Sequence, residues 1–177
     1  IQNYGADILR LWVVGSDYSE DLKIGSDIIK HQTDAYRRLR NTFRYLLGNL
    51  HEFDEKESVE FSEMPELEQF ILHRLAELDI LIRGCCEKFD FHRVFTALHN
   101  FCTIELSSFY FDIRKDTLYC DRADDIQRRA ARTVLNELFS CLTAWFAPII
   151  CFTAEEAWLN RYPDQNKVDS VHLRQFP

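Results

Sequence analysis

The sequence predicts an all-α protein, an antiparallel helix bundle of four or five helices behind a small N-terminal connector. Its 46% hydrophobic residues, among them 14 Phe, 7 Tyr and 3 Trp, exclude a disordered chain. Only 5 Gly and 4 Pro occur in 177 residues, which is too few for a loop-rich all-β protein. Five apolar stretches repeat with the helical period, and short polar segments join them. Such short connections make neighbouring helices run in opposite directions.

A polar connection separates the first two predicted helices. Residues 6–14 predict a short helix that Gly15 breaks. Residues 22–24 could form one short strand, and residues 25–27 supply capping chemistry for the next helix. That second helix is long, because its apolar residues follow the 3.6-residue period until residues 48–49 end it.

Three more long helices are predicted after an exposed, acidic loop over residues 51–62. We expect them from Pro65 to about Lys88, from Asp90 to about Asp116, and from Asp125 until Pro148 removes a backbone donor. Residues 117–124 read as a polar connection between the last two.

A short last helix and a tail complete the prediction. Thr153 and Glu156 fit a capping box, in which each side chain satisfies a backbone donor, so residues 154–160 are expected to be helical. The residues of the tail, 171–176, alternate in polarity and are expected to lie extended.

The distribution of charge is more informative than its sum. The formal net charge of -8 argues against a nucleic-acid partner, since affinity for phosphate comes largely from Lys and Arg. However, residues 30–44 are strongly basic, with Asp34 as their single acid. Residues 52–68 are strongly acidic, with Lys56 as their single base, and should be solvated or repel polyanions.

The basic residues of the second helix form one stripe beside its apolar face. At about 100° per residue, Arg40, Arg44, Arg37 and Asn41 follow one another around the helix, and Tyr45 lies beyond them rather than in the core. Guanidinium groups, an amide and an aromatic ring suit a single-stranded RNA loop, whose bases are recognised by stacking and hydrogen bonds. A merely solvated basic face is the alternative that composition alone leaves open. The candidate RNA-binding residues are Arg37, Arg40, Asn41, Arg44 and Tyr45.

No set of residues predicts catalysis or metal binding. The sequence lacks a Gly-rich phosphate loop, a nucleophile motif and His spacings typical of metal sites, so we expect no catalytic residue and no metal. Its six cysteines have no framework spacing and are expected to be reduced, mostly buried thiols. No apolar run is long enough to span a membrane. Glu105 lies within an apolar stripe and is expected to pair with an Arg of a neighbouring helix, for which Arg40 is one candidate.

The chain resembles class I aminoacyl-tRNA synthetases of the isoleucine, valine and leucine group, and within it the isoleucyl branch. The similarity begins with YGADILRLW, continues through YRRLRNTFRYLLGNL and SSFYFDIRKDTLY, and ends with VHLRQFP. It covers essentially all 177 residues in order. The runs that carry it are residues 4–12, 16–18, 36–50, 89–92, 107–119, 147–149, 152–158 and 171–177.

The resemblance implies a connector over residues 1–26, behind a catalytic domain, and an anticodon-binding domain over residues 27–177. The class I HIGH and KMSKS motifs do not occur in this sequence, so the chain alone should be inactive and bind no cofactor, whereas the parent enzyme would use ATP and Mg²⁺. The implied partners are the anticodon arm of tRNA(Ile) and the parent's catalytic domain, with a monomer in the cytoplasm and no membrane contact. A valyl synthetase and a helical protein–protein interaction module remain as alternatives.

Overall fold

The computed structural model describes residues 4–18, 21–22, 24–163 and 170–177, and within these residues it is helical without a strand. The strand expected at residues 22–24 includes Lys23, which lies outside the described residues. A π-helical segment over Phe101–Tyr110 stands between the fourth and fifth α-helices. The α-helices are α1 (Ala6–Val14), α2 (Ser26–Asn49), α3 (Glu66–Glu87), α4 (Phe91–Asn100), α5 (Phe111–Cys120), α6 (Ile126–Phe146) and α7 (Cys151–Arg161).

Most of the predicted helix ends are confirmed. α1 has the predicted bounds and α2 ends at Asn49. Pro65 stands just before α3, and Asp90 and Asp125 cap α4 and α6 by accepting hydrogen bonds from backbone N–H groups. The expected cap of α2 is corrected, because Ser26 lies inside the helix and no side chain caps it.

The predicted fourth helix is longer and less regular than its pattern indicated. α4, the π-helical segment and α5 follow one another along Phe91–Cys120, so helix extends past Asp116 into the expected polar connection. Within the π-helical segment the hydroxyl of Ser107 donates to the carbonyl of Cys102, five residues back, at 2.8 Å. This spacing matches the i→i+5 turn of a π-helix. We call the three parts together the central rod.

The helices pack as an antiparallel bundle, as predicted. Ion pairs from Arg74 to Glu105 and from Arg114 to Glu68 join α3 to the central rod in antiparallel register. α2 runs antiparallel to α6, because Phe43 contacts Phe146 near one end of the pair and the carbonyl of His51 accepts from Arg132 near the other. The largest fully buried side chains are Trp145, Tyr110, Phe101, Phe139 and Phe146.

The acidic loop between α2 and α3 is more structured than predicted. It contains two 3₁₀ turns, Glu55–Glu57 and Phe61–Glu63. Phe53 and Val59 are buried against the bundle. A carboxylate oxygen of Glu57 accepts a 2.7 Å hydrogen bond from Arg132 on α6. The loop is therefore anchored to the core and not simply solvated.

The predicted capping box at α7 is wrong. The helix begins at Cys151, so Thr153 lies inside it, and Glu156 pairs with Arg40 instead of capping. The N-terminal donors of α7 are satisfied by Asp7 of α1, whose carboxylate accepts from the N–H and the hydroxyl of Thr153 at 2.8 and 2.7 Å. An acid from α1 thus caps the N-terminus of α7 in place of the predicted capping box.

The C-terminal tail is also corrected, since its first residues form a 3₁₀ turn over Val171–Leu173 instead of an extended strand. Val171 is buried, and its N–H donates to Glu155 of α7 at 2.9 Å. The tail therefore packs against α7 through one apolar residue.

Glu105 pairs with an arginine of a neighbouring helix, as expected, but the partner is Arg74 and not Arg40. The two hydrogen bonds measure 2.9 and 3.1 Å, and about a third of the Glu105 side chain is exposed. A second acid, Glu68, is fully buried and accepts from both Arg114 and the hydroxyl of Tyr110. Burial, and next the neighbouring Glu68, raise the pKa of Tyr110 well above its ordinary value.

Candidate RNA-binding surface

The basic stripe of α2 lies on the outside of the bundle. α2 buries Leu39, Phe43 and Leu46 against its neighbours, and the residues next around the helix face solvent. All four predicted polar residues of the stripe are exposed, and they lie along two turns of one rigid helix. These residues are Arg37, Arg40, Asn41 and Arg44.

Arg40 is held by an acid of α7. Its guanidinium donates to both carboxylate oxygens of Glu156, at 2.7 and 2.9 Å. This bidentate geometry is the strong form of an arginine–carboxylate pair. The hydrogen bond to Arg40 lowers the pKa of Glu156, and the same bond raises the pKa of Arg40. The charge of Arg40 is therefore largely compensated within the protein.

Arg37 and Arg44 are more available to a ligand. Arg37 makes a 3.2 Å ion pair with Asp34 on its own helix, with 72% of its side chain exposed. Among the residues that the structure describes, Arg44 has neither an ion pair nor a hydrogen bond. Exposed pairs of the Arg37 type contribute little to stability, so both guanidinium groups can move to a phosphate at small cost.

The structure places Tyr45 differently from the prediction. Its ring stacks on Phe111 of α5, with centroids 4.1 Å apart and planes 16° apart, and the side chain is half-buried against the core. Burial, and next the nearby Tyr119 and Asp112, raise the pKa of Tyr45 to about 12. One face of this ring is therefore occupied by the protein.

A cleft of about 320 Å³ separates the C-terminal half of α2 from the end of α5. Tyr119 contributes a ring that is 67% exposed. Tyr119 was not among the predicted RNA-binding residues, because residues 117–124 read as a polar connection. The signal in the sequence was the seven-residue spacing of Phe111 and Leu118, which fits a helix that continues to Tyr119. The residues that line the cleft are Asn41, Arg44, Tyr45, Gly48, Asn49 and Tyr119.

A chain of hydrogen bonds leads inward from Arg40 to α1. Arg40 donates to the Tyr36 hydroxyl at 3.4 Å, and this hydroxyl lies 2.9 Å from that of Thr153. The Thr153 hydroxyl donates to Asp7 at 2.7 Å. The Thr153 hydroxyl uses its proton on Asp7, so the Tyr36 hydroxyl is the donor between the two hydroxyls. All hydrogen bonds of this path therefore point from Arg40 towards Asp7. It connects the basic stripe to α1.

The C-terminal part of the chain, from α3 onward, matches a known protein family. Residues 68–177 match the family described as "Anticodon-binding domain of tRNA ligase". The chain belongs to this family. The match begins in α3, so α2, which carries the basic stripe, lies upstream of the matched residues.

Known relatives of the domain extend the similarity over the whole chain. Isoleucine–tRNA ligases of Gluconobacter oxydans, Ruegeria pomeroyi and Agrobacterium fabrum are 56%, 55% and 54% identical, over 99%, 100% and 98% of this chain. The chain spans 18% of the length of each of these relatives. A crystal structure of a LeuRS–tRNA–LeuAMS ternary complex from Agrobacterium radiobacter has the same fold, with a TM-score of 0.70 at 15% identity, over 99% of this chain and 20% of that chain.

Two further properties of the anticodon-binding domain concern metal ions and membranes. Across the described ranges, no group of three or more His, Cys, Asp and Glu residues could hold a metal ion. All six cysteines are free; Cys85 and Cys102 are buried, Cys120 is exposed, and the others are half-buried. None of the described helices combines the length and the apolar composition that crossing a bilayer requires.

Proposed function

We propose that this chain is the part of an isoleucine–tRNA ligase that holds the anticodon arm of tRNA(Ile), so that a catalytic domain of the same longer protein can attach isoleucine to the other end of the tRNA. The family match and the 52–56% identity to isoleucine–tRNA ligases support this proposal. The identities favour an isoleucyl over a valyl enzyme, and the family match favours tRNA binding over a helical protein–protein module.

The observation that carries the proposal is the exposed basic stripe on α2, where Arg37 and Arg44 face solvent. Phosphate contacts need such unburied guanidinium groups. The overall negative charge does not oppose them, because residues 30–44, which include the stripe, hold five Lys and Arg residues and a single acid, Asp34.

The connector over residues 1–26 and the helical domain over residues 27–177 would act as one support for the RNA. α1 of the connector contributes the Asp7 carboxylate that caps α7. We propose that the chain alone performs no chemistry, that ATP and Mg²⁺ act in the catalytic domain, and that the parent protein works as a monomer in the cytoplasm.

Binding of two transfer RNAs to the full-length protein tests this function. We expect tRNA(Ile) to bind more tightly than tRNA(Val), with an affinity that falls steeply between low and high salt. Replacing Arg37 and Arg44 together by Ala should weaken the binding of tRNA(Ile) and flatten its salt dependence. Equal affinity for both tRNAs would contradict the isoleucyl assignment, and an unchanged affinity of the double variant would contradict the basic stripe as the binding surface.

A further inference from the structure

Two charged side chains of α1 hold the turn that connects α6 to α7. The guanidinium of Arg10 donates to the carbonyls of residues 149 and 148, at 3.0 and 2.7 Å. The carboxylate of Asp7 accepts from the N–H groups of Phe152 and Thr153, at 3.3 and 2.8 Å. Residues three apart lie on the same face of a helix, so one face of α1 contacts both sides of the turn. We call Asp7 and Arg10 together the α1 clamp.

Each side chain of the α1 clamp matches the partial charge of the backbone groups that it contacts. Carbonyls at the C-terminal end of a helix carry partial negative charge, and N–H groups at the N-terminal end carry partial positive charge. The guanidinium lies against the carbonyls that follow α6, and the carboxylate lies against the first turn of α7. An exchange of the two charges would place like charges together. The contact therefore fixes the direction in which α1 crosses the turn.

The α1 clamp fixes one end of a helix that buries few apolar residues. Of the nine residues of α1, Asp7, Ile8 and Leu11 are buried. At the other end of α1, the carbonyl of Gly15 lies 2.6 Å from Nδ1 of His92 on α4. The angle between α1 and the bundle therefore depends on the clamp at one end and on α4 at the other.

The helix that the α1 clamp contacts also borders the basic stripe. Glu156 of α7 pairs with Arg40 of the stripe at 2.7 Å. One turn earlier in α7, the hydroxyl of Thr153 lies 2.9 Å from that of Tyr36 on α2. A change in the angle between α1 and α7 is therefore also a change in the angle between α1 and the surface proposed to hold RNA.

We propose that Asp7 and Arg10 are positioning residues for the transfer of isoleucine to tRNA(Ile), because they fix the angle between the RNA-binding bundle and the connector. This inference rests on the proposed function, in which residues 1–26 join the bundle to a catalytic domain. A tRNA that is held at one end must present its other end to that domain within narrow limits. A misplacement of about 1 Å can slow a reaction by about 100-fold. Neither side chain belongs to the basic stripe, so the clamp acts through orientation.

Arg10→Met in the full-length protein tests the α1 clamp, since it removes the donors and retains an apolar side chain at an exposed position. Three activities are compared: binding of an RNA hairpin with the anticodon arm, isoleucine-dependent exchange of pyrophosphate into ATP without tRNA, and charging of full-length tRNA(Ile). Hairpin affinity and pyrophosphate exchange should equal those of the original protein. The kcat for charging at saturating tRNA should fall by about 10- to 100-fold. Hairpin binding and charging that fall together, or a charging rate that does not fall, would overturn the positioning role.

Arg129→Met is the matched control for the loss of an arginine that donates to a distant backbone carbonyl. Arg129 donates to the carbonyl of Glu57 at 3.1 Å and so joins α6 to the acidic loop without contacting α1. This variant should leave all three activities unchanged. If it slows charging as much as Arg10→Met does, the effect is not specific to α1 and the proposal is wrong.

Asp7→Asn tests the other half of the α1 clamp, because it removes the charge and retains one oxygen as an acceptor. It should slow charging in the same way as Arg10→Met. The double variant should lose little more than the stronger single variant, since both side chains hold one turn. Losses that multiply would mean two independent contacts instead of a clamp. If Arg44→Ala weakens hairpin binding while both clamp variants charge normally, the clamp is wrong and the proposed function stands. If the original protein does not bind the hairpin, the proposed function itself fails.

Discussion

Arg40 of α2 and Glu156 of α7 face each other across the edge of the basic stripe through two hydrogen bonds, of 2.7 and 2.9 Å. A cation of the proposed RNA-binding stripe is thereby compensated by an acid of the same protein. If RNA binds there, its phosphates have to compete with this carboxylate for the guanidinium of Arg40.

The first prediction follows from this competition. Glu156→Gln removes the competing charge, so RNA should bind more tightly and its salt slope should steepen by about 0.7 to 0.9 if Arg40 gains a phosphate contact. Stability should change by no more than about 1 kcal/mol, because the pair is about half exposed. Glu137→Gln removes the same charge from an exposed site on α6 and serves as the control in salt-dependent titrations. If Glu156→Gln and Glu137→Gln raise the affinity for RNA equally, the effect comes from net charge alone and not from the release of Arg40.

The second prediction concerns Arg37 and Arg44, for which the described residues show no ion pair with α7. Arg44→Ala and Arg37→Ala should each weaken RNA binding and reduce the salt slope by about 0.7 to 0.9, at an unchanged melting temperature. Arg83→Ala on α3 also breaks an exposed ion pair, with Asp79, and should leave RNA binding unaffected. Filter binding at several salt concentrations measures all three. If both stripe variants bind RNA with normal affinity, the stripe is only a solvated basic face.

The third prediction concerns Tyr45, which the sequence placed among the RNA-binding residues. Because its ring stacks on Phe111, Tyr45→Ala should destabilise the fold by roughly 2 kcal/mol. Tyr45→Phe retains the stack and should melt close to the original protein. Thermal unfolding measures both. A Tyr45→Ala protein with an unchanged melting temperature would show that the ring is not part of the packing.

The fourth prediction tests the buried ion pair between Glu68 and Arg114. Arg114→Met leaves a fully buried carboxylate without its charged partner and should cost about 3 to 5 kcal/mol of the free energy of unfolding. The same change at Arg122, which is 84% exposed and pairs with Asp124, should cost less than about 1 kcal/mol. The double variant Glu68→Gln with Arg114→Met removes the buried charge and keeps an acceptor for the Tyr110 hydroxyl, so it should recover part of the loss. Urea unfolding compares the three proteins.

Helical periodicity and capping residues predicted most of the fold, because both act within a few residues of the chain. Asp90 and Asp125 cap the helices they precede. The π-helical segment could not be read in this way, since its apolar residues also fit an α-helix. The capping box at Thr153 failed because the carboxylate of Asp7, far away in the sequence, takes the same donors.

The site was predicted in part for a similar reason. The stripe of arginines needs only the geometry of one helix, so their exposure was predictable. The packing of Tyr45 was not predictable, because a helical wheel shows only one apolar face of α2. In the structure α2 has a second contact, in which Tyr45 stacks on Phe111 of the central rod. The pairing of Arg40 with Glu156 depends on how two distant helices meet.

The contact between Asp7 and Thr153 joins residues 146 positions apart, so it closes a loop that contains most of the chain. Contacts of such long sequence separation form late, because the ends of a long loop meet slowly. During synthesis α1 leaves the ribosome well before α7 exists. We therefore expect α7 to be the last helix whose end becomes fixed, and nascent chains that stop short of residue 153 to leave the carboxylate of Asp7 in water.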